Sequence, residues 1–174
     1  MPLIIEPLAE LTPLQQQMLA SQLQACIAQG ASLGFYHPTS DAHMTNYWSQ
    51  VNTELGQNTR VILAAYLEQQ LVASVQLIPC KKQNGRHRGE VEKLLVHPDY
   101  QRQGIAQALM QYLETYANQL GMTLLVLDTQ SGDRSELFYQ AIGFTKSGEI
   151  PHFVSDSQGA MHATSYYFKQ LGSH

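Results

Sequence analysis

The hydrophobic pattern of this chain changes period at His97-Pro98, and that change restricts the folds open to it. Before it, Arg60 to Tyr66, Leu71 to Ile78 and Gly89 to Val96 are runs of β-branched and apolar residues that read as strands. After it, Ile105, Ala108, Leu109, Tyr112, Leu113, Tyr116 and Leu120 form one apolar helical stripe, closed by Gly121. Thr123 to Asp128 then reads as a strand again. A strand, a helix and a strand in direct succession predict a right-handed crossover within one sheet.

The flanking segments fill in the rest of the sheet and its cover. Glu68 to Gln70 turns the first two strands into a hairpin, and Asn84-Gly85 supplies a tight turn with positive backbone angles into the third, giving a three-stranded antiparallel meander. Thr12, Pro13 and Gln15 offer a capping box for a helix whose apolar positions Leu19, Leu23, Cys26 and Ile27 run on to Gly30. A second helix is expected within Asp41 to Leu55. Asp133 to Glu136 caps a short helix through Ile142, in which Leu137 and Ala141 pack inward, and strands follow at Phe144 to Ile150 and around Tyr166 to Phe168. The polar stretch Ser155 to Gly159 reads as a surface excursion. This order indicates an α+β fold, or a three-layer α/β one, in a single domain over residues 1–174.

Composition narrows the function. With 14% charged residues and a formal net charge of −4, the chain lacks the basic footprint of a nucleic-acid binder. Its densest basic run, Lys81, Lys82, Arg86, His87 and Arg88, reads as a solvated hairpin tip. Cys26 and Cys80 are far apart and the histidines are not set at ligand spacing, so neither a disulfide nor a metal site is expected. No leader-like start and no membrane-length apolar run stand out, so a cytoplasmic protein acting on a small molecule is expected.

The chemistry points to Gln101-Arg102-Gln103-Gly104-Ile105-Ala106, which lies between a strand and the long helix. A helix start presents unpaired amides and partial positive charge, the setting in which backbone donors hold a pyrophosphate. Gly104 either admits the phosphate closely or merely serves the turn. The segment is neither the dinucleotide fingerprint nor a P-loop, since it lacks the Gly-x-Gly-x-x-Gly and Gly-Lys-Ser/Thr patterns.

Leu94-Leu-Val-His-Pro98 followed by Gln101-x-x-Gly104-x-Ala106 resembles the acetyl-CoA motif of the GNAT N-acetyltransferase superfamily, and Leu137-Phe-Tyr-Gln-Ala-Ile-Gly-Phe144 resembles its second motif. Gly30 to Phe35, Gly89 to Leu94, Leu127 to Thr129, Gly148 to Pro151 and Tyr167 to Lys169 are similar to the tabtoxin-resistance branch. The resemblance implies a mixed, largely antiparallel sheet flanked by helices and splayed between the strands ending at Val96 and Asp128. The pantetheine of acetyl-CoA would lie in that gap against the backbone of Leu94, Leu95 and Val96. The pyrophosphate would meet Gln101, Arg102, Gln103, Gly104, Ile105 and Ala106, and Ser135 and Phe138 would also touch the cofactor. No metal is implied.

Tyr139 stands where many members of the superfamily place the general acid that protonates the departing thiolate; the plainer reading is a core tyrosine. An ammonium acceptor must lose a proton before it attacks, and Asp128, Glu90 and Glu92 are the candidate bases, with ordered water as a relay. Strict strand alternation puts Glu90, Glu92, Leu94 and Val96 on one face, and Leu124, Val126 and Asp128 on one face of the next strand. Each carboxylate also has a plain reading: a turn cap for Asp128, and solvent or a pairing with Lys93 or Arg88 for the glutamates. Phe35 to Pro38, Tyr47-Trp48 and Pro151 to Phe153 are candidates for an acceptor pocket or for core. The expected reaction is acetyl transfer to a primary amine of an amino-acid-like metabolite, antibiotic or toxin, with a homodimer among the expected assemblies. A protein lysine or N-terminal acetyltransferase and a noncatalytic acyl-CoA sensor are the competing readings.

Overall fold

The computed structural model describes residues 2–172; Met1 and the last two residues of the expected 1–174 domain lie outside it. Among the described residues, seven strands form one sheet in the order β1-β2-β3-β4-β5-β7-β6. They are β1 (Ile4–Pro7), β2 (Val61–Leu67), β3 (Gln70–Pro79), β4 (Arg88–Val96), β5 (Leu124–Gln130), β6 (Thr145–Ser155) and β7 (Met161–Gln170). The helices are α1 (Pro13–Ala28), α2 (Asp41–Gly56), α3 (Ile105–Gln119) and α4 (Arg134–Ala141). Every neighbouring pair is antiparallel except β4 and β5, which are parallel and joined through α3. The expected mixed, largely antiparallel sheet is the one observed.

Two apolar clusters cover the two faces. On one face, Leu109, Met110 and Leu113 of α3 and Tyr139 of α4 pack with Leu63, Val75, Leu77 and Val91 of the sheet. On the other, Leu19, Leu23 and Ile27 of α1 and Trp48 and Val51 of α2 pack with Ile62, Ala64 and Leu95. These are the three layers that the order of elements predicts.

Local chemistry fixes the helix ends. Thr12 accepts from the Gln15 amide and Gln15 accepts from the Thr12 amide, so the capping box at α1 forms as read. Gly121, at φ 87°, follows α3.

The structure corrects the sequence reading at four places. The buried stripe of α3 is Ile105, Leu109, Met110, Leu113 and Ala117, whereas Tyr112 and Leu120 are exposed. The stripe runs through Met110 and the small Ala117, residues at spacings of three and four from Leu113, and leaves the large Tyr112 and Leu120 at its rim. Asn84-Gly85 is not a tight positive-φ turn but part of a 3₁₀ turn over Gln83–Gly85. Gly85 is needed there for space, since a Cβ would lie 2.7 Å from Cys80 Sγ and 2.8 Å from Arg88 Nη1. In α4, Leu137 points outward at 69% exposure and Ala141 is exposed, while Tyr139 is buried. The inward positions are Ser135, Phe138, Tyr139 and Ile142, which share one face at spacings of three and four. Finally, β1 is an edge strand that the sequence reading passed over.

Helix α4 is held to the sheet by Glu136. Its carboxylate accepts from the Tyr167 hydroxyl at 2.7 Å and from the Gly132 amide at 2.7 Å, with Lys146 at 3.4 Å. These bonds, the Tyr167 hydroxyl first, pull the Glu136 carboxyl down to about 2. A carboxylate depressed in the folded state adds stability that is complete above its unfolded value and is lost as pH falls toward the folded one. Glu136→Gln is therefore expected to lower stability at neutral pH and to flatten its decline between about pH 4.5 and 2. Urea titrations of both proteins across that range check it; parallel pH profiles would refute it.

Candidate active site

The sheet parts at its centre. Parallel pairing of β4 with β5 covers only Arg88↔Leu124, Gly89↔Leu125 and Glu90↔Val126. Beyond it β5 stays paired with β7 as far as Gln130↔Thr164, while β4 runs on to Val96 beside β3. A bulge in β4 follows the end of this pairing. Gln76 pairs with Glu92 and Ser74 with Leu95, so Lys93 and Leu94 together oppose Val75, and Lys93 takes a φ of 50°.

The bulge overturns the expectation that Glu90, Glu92, Leu94 and Val96 share a face. Leu95 lies in the cluster under α1 and α2, while Leu94 and Val96 pack on the cluster under α3 and α4. Glu92, across from Gln76, faces the α1–α2 side, where Arg60 bridges it at 3.3 Å. Strict alternation fails because one extra residue in the strand reverses every side chain after it.

The parting opens a cavity of about 330 Å³. Glu90, Glu92, Lys93 and Leu94 line it from β4, Asp128, Thr129 and Gln130 from β5, and Ser135 and Tyr139 from α4. Residues 31–34 of the α1–α2 connection and Val154 of β6 complete it. A second groove, lined by Phe35, Tyr36, Pro38 and His43, shares Ser32, Gly34 and Val154 with the first.

Each polar group in this cavity has a distinct environment. Asp128 accepts from the Thr164 hydroxyl at 2.8 Å. Glu90 makes no ion pair or hydrogen bond among the described residues, and burial, then the neighbouring charges of Glu92 and Asp128, raises its carboxyl above the usual range. Glu92 is held by Arg60, which also pairs with Glu54 at 2.6 Å and donates to Gln76 at 2.6 Å. Thr129, Ser135 and Asp133 form a relay, each oxygen 2.6 Å from the next. Tyr139 is 9% exposed among Phe138, Phe144 and Tyr167, and its hydroxyl makes no hydrogen bond among the described residues. Burial first, then the charges of Asp128 and Asp133, pushes its phenol well above the usual tyrosine value. That group stays protonated and can donate.

Beyond the end of β4, a 3₁₀ turn over Pro98–Tyr100 leads into Gln101–Gly104. Arg102 at φ 62° and Gly104 at φ 80° bend the chain so that Gly104 caps α3 without a side-chain bond. The first helical hydrogen bond there is from Ala108 to Gly104, so the amides of Gly104, Ile105 and Ala106 have no acceptor among the described residues. A Cβ at Gly104 would meet nothing within 4 Å, which leaves room for an anion against these amides. Gln101 Nε2 donates to the Val96 carbonyl at 3.0 Å and to Gln29 at 3.2 Å, tying the turn to β4 and α1. Gln103 donates to the Asp99 carbonyl at 3.4 Å, and the exposed Arg102 makes no ion pair among the described residues.

Two of the aromatic segments proposed for the pocket resolve differently. Phe35 and Tyr36 line the second groove, whereas Trp48 is core at 1% exposure and Phe153 lies against Tyr166 outside both cavities. Lys93, considered in the sequence only as a partner for the glutamates, lies in the cavity between Phe35 and Tyr47. Only its place in the Glu-Lys-Leu run hinted at this. Thr164 and Arg60 gave no sequence signal, since each acts through a strand that pairing brings alongside. No helix among the described residues is long and apolar enough to cross a membrane, and no cluster of metal-ligating side chains occurs among them.

Comparison with known proteins gives a consistent result. The model of the acetyltransferase (GNAT) family matches residues 23–144. A 101-residue stretch is 32% identical to N-acetyltransferase family 8 member 2 of Rattus norvegicus, covering 57% of this chain and only 44% of that protein. Aminoglycoside N(6')-acetyltransferase type 1 of Acinetobacter baumannii is 29% identical over 117 residues, 64% of this chain and 80% of the relative. The solved structure of an aminoglycoside 6'-N-acetyltransferase complexed with coenzyme A has the same fold, with a TM-score of 0.75 at 17% identity over 98% of each chain.

Proposed function

The chain belongs to the acetyltransferase (GNAT) family, and from that premise we propose that it moves an acetyl group from acetyl-CoA to a primary amine of a small molecule by direct attack. The observation that carries this reading is the parting of β4 from β5 after Glu90 and Val126, which leaves a strand edge beside an acid-lined cavity, with free helix-start amides beyond the end of β4. A structural neighbour of the same fold carries coenzyme A, and a curated relative is named as an acetyltransferase of amine-bearing aminoglycosides.

In this reading the backbone of Leu94, Leu95 and Val96 meets the pantetheine arm, with Phe138 and Ser135 on the opposite wall. The Gln101–Ala106 segment receives the pyrophosphate. The Val96 carbonyl already accepts from Gln101 Nε2 and from Cys26 Sγ, which fixes its direction. The thioester supplies an activated acetyl group and a thiolate leaving group. Asp128, oriented by Thr164, takes the proton of the acceptor ammonium so that the nitrogen lone pair can attack. Glu90, with its raised affinity for protons, stands beside it as a second acceptor of that proton. Glu92 serves through Arg60 as a fixed negative neighbour. Tyr139 then donates its phenolic proton as the carbon–sulfur bond breaks. Thiol release measured with acetyl-CoA across a panel of amines tests the whole reading: no release with any small amine would reject it.

Gly104→Val places a branched side chain in the space above the amides at a φ that strains it by about 1–2 kcal/mol. A folded protein with acetyl-CoA affinity reduced at least tenfold is expected by calorimetry. Unchanged affinity would move the pyrophosphate elsewhere.

Tyr139→Phe keeps the ring in the core and removes only the hydroxyl. It is expected to bind acetyl-CoA normally and to lose about 10²–10⁴ in turnover, the scale for a positioned general acid. Asp128→Asn is expected to recover part of its lost rate at higher pH, where more of the acceptor is already neutral, and Tyr139→Phe to show no such recovery. Near wild-type turnover of Tyr139→Phe would remove the tyrosine from the mechanism.

A further inference from the structure

Lys93 is a half-buried cation with no anion within ion-pair distance among the described residues. Its ammonium lies 6.0 Å from the centre of the Phe35 ring and 5.7 Å from that of Tyr47, and among the described residues it forms neither an ion pair nor a hydrogen bond. The positive φ of the bulge aims this side chain toward the α1–α2 connection, where a Cβ added to Gly34 would lie 3.7 Å from Nζ. It thus stands where the first cavity meets the groove lined by Phe35 and Tyr36.

The carboxylates around it, Glu90 apart, are already committed to other partners. Glu92 is paired with Arg60, which also holds Glu54. Asp133 caps α4 through Ser135, and Asp128 is bonded to Thr164. Glu90 lines the same cavity but forms no ion pair with Lys93. Burial is the largest influence on the Lys93 amine and lowers its proton affinity; Glu92, Asp128 and Glu90 offset part of this from beyond ion-pair distance, and Arg60 adds to it. Ring faces replace part of the lost hydration but supply no acceptor atom.

Resting on the proposed acetyl transfer, we infer that Lys93 is the specificity residue for an anionic group on the acceptor, so that the preferred substrate is an amine that also bears a carboxylate. The two carboxylates Glu90 and Asp128, together with Tyr139, face the ammonium end of such a molecule, and Lys93 receives the other end. A polycation would meet Lys93 as a like charge.

The test compares each amino acid with the amine that lacks its carboxylate, ornithine against putrescine and lysine against cadaverine, in thiol-release assays with acetyl-CoA, and adds kanamycin as a polycation. The expected result is at least tenfold higher kcat/KM for the carboxylate-bearing member of a pair, expressed mainly in KM. Lys93→Met is expected to bring that ratio to about one, and Lys93→Arg to keep part of it. The thermal shift given by acetyl-CoA serves as the check that each variant folds and binds its donor. Equal or better use of putrescine, cadaverine or kanamycin by the wild-type protein would overturn the role of Lys93 while leaving acetyl transfer standing. So would an unchanged ratio in a folded Lys93→Met protein. Failure of every amine would overturn both.

Discussion

The parallel pairing between β4 and β5 ends after three residue pairs, and the rest of the site depends on that short ladder. Backbone donors and acceptors that lose a strand partner must find another, because leaving one buried and unmade costs about 1–3 kcal/mol. On β4 this need falls on the segment from Val91 to Val96, on the side facing the gap. In the proposed reading, the two amides of an extended pantetheine arm, separated by two methylenes, supply partners to part of that edge. The sheet itself stays intact on either side: β3 pairs with β4 through Val96, and β7 pairs with β5 through Gln130. A rigid sheet therefore carries an opening, and no loop movement is needed to make it.

What lines the opening follows from the elements that the two diverging strands carry with them. β4 leads through the Pro98–Tyr100 turn into α3, so free helix-start amides lie beyond its end. β5 leads through Asp133 into α4, which sets Tyr139 against the sheet. Glu136 fixes the second of these, since its bonds to Tyr167 and Gly132 leave α4 little freedom to slide. The role proposed for Tyr139 requires it to be held to within a fraction of an ångström, and its ring contacts with Phe138, Phe144 and Tyr167 supply that restraint.

The parts that were legible in the sequence are those with a local signature. Thr12 with Gln15, Gly104 before an apolar stripe and Gly121 after it each mark a boundary through the backbone chemistry of a few neighbouring residues. The free amides after Gln101–Gly104 were legible because a helix start is a local event. The bulge at Lys93 has no such signature: it depends on how β4 registers with β3, and the residue at positive φ is a lysine, where a glycine would have announced it. The phase error in α4 has a similar origin. A helix of eight residues offers too few apolar positions to fix a stripe, so the choice between Leu137 and Tyr139 is made by what the sheet presents to it. Thr164 beside Asp128 and Arg60 beside Glu92 are products of strand pairing over long separations, which composition and spacing do not encode.

The electrostatics of the cavity show why register matters for chemistry as well as for packing. Glu90 and Glu92 alternate with Val91 on β4 and both line the gap, yet they have opposite fates. Glu92 lies across from Gln76 and within reach of Arg60, whose own position is fixed by Glu54 and Gln76, so its charge is pinned in a network of hydrogen bonds. Glu90, two residues earlier, lies opposite Ile78 and has no cation in contact, so burial and its acidic neighbours make it hold a proton more tightly. One residue past Glu92 the bulge turns Lys93 out of the strand's alternation and into the aromatic corner of Phe35 and Tyr47. Had β4 continued without the bulge, Lys93 would share a face with Val91 and point into the apolar layer under α3, where an ammonium has no partner and no water. The bulge that accompanies the parting of the sheet therefore also brings a positive charge into an otherwise acidic cavity. In the proposed reading it sets an end of the site for an ammonium apart from one for an anion.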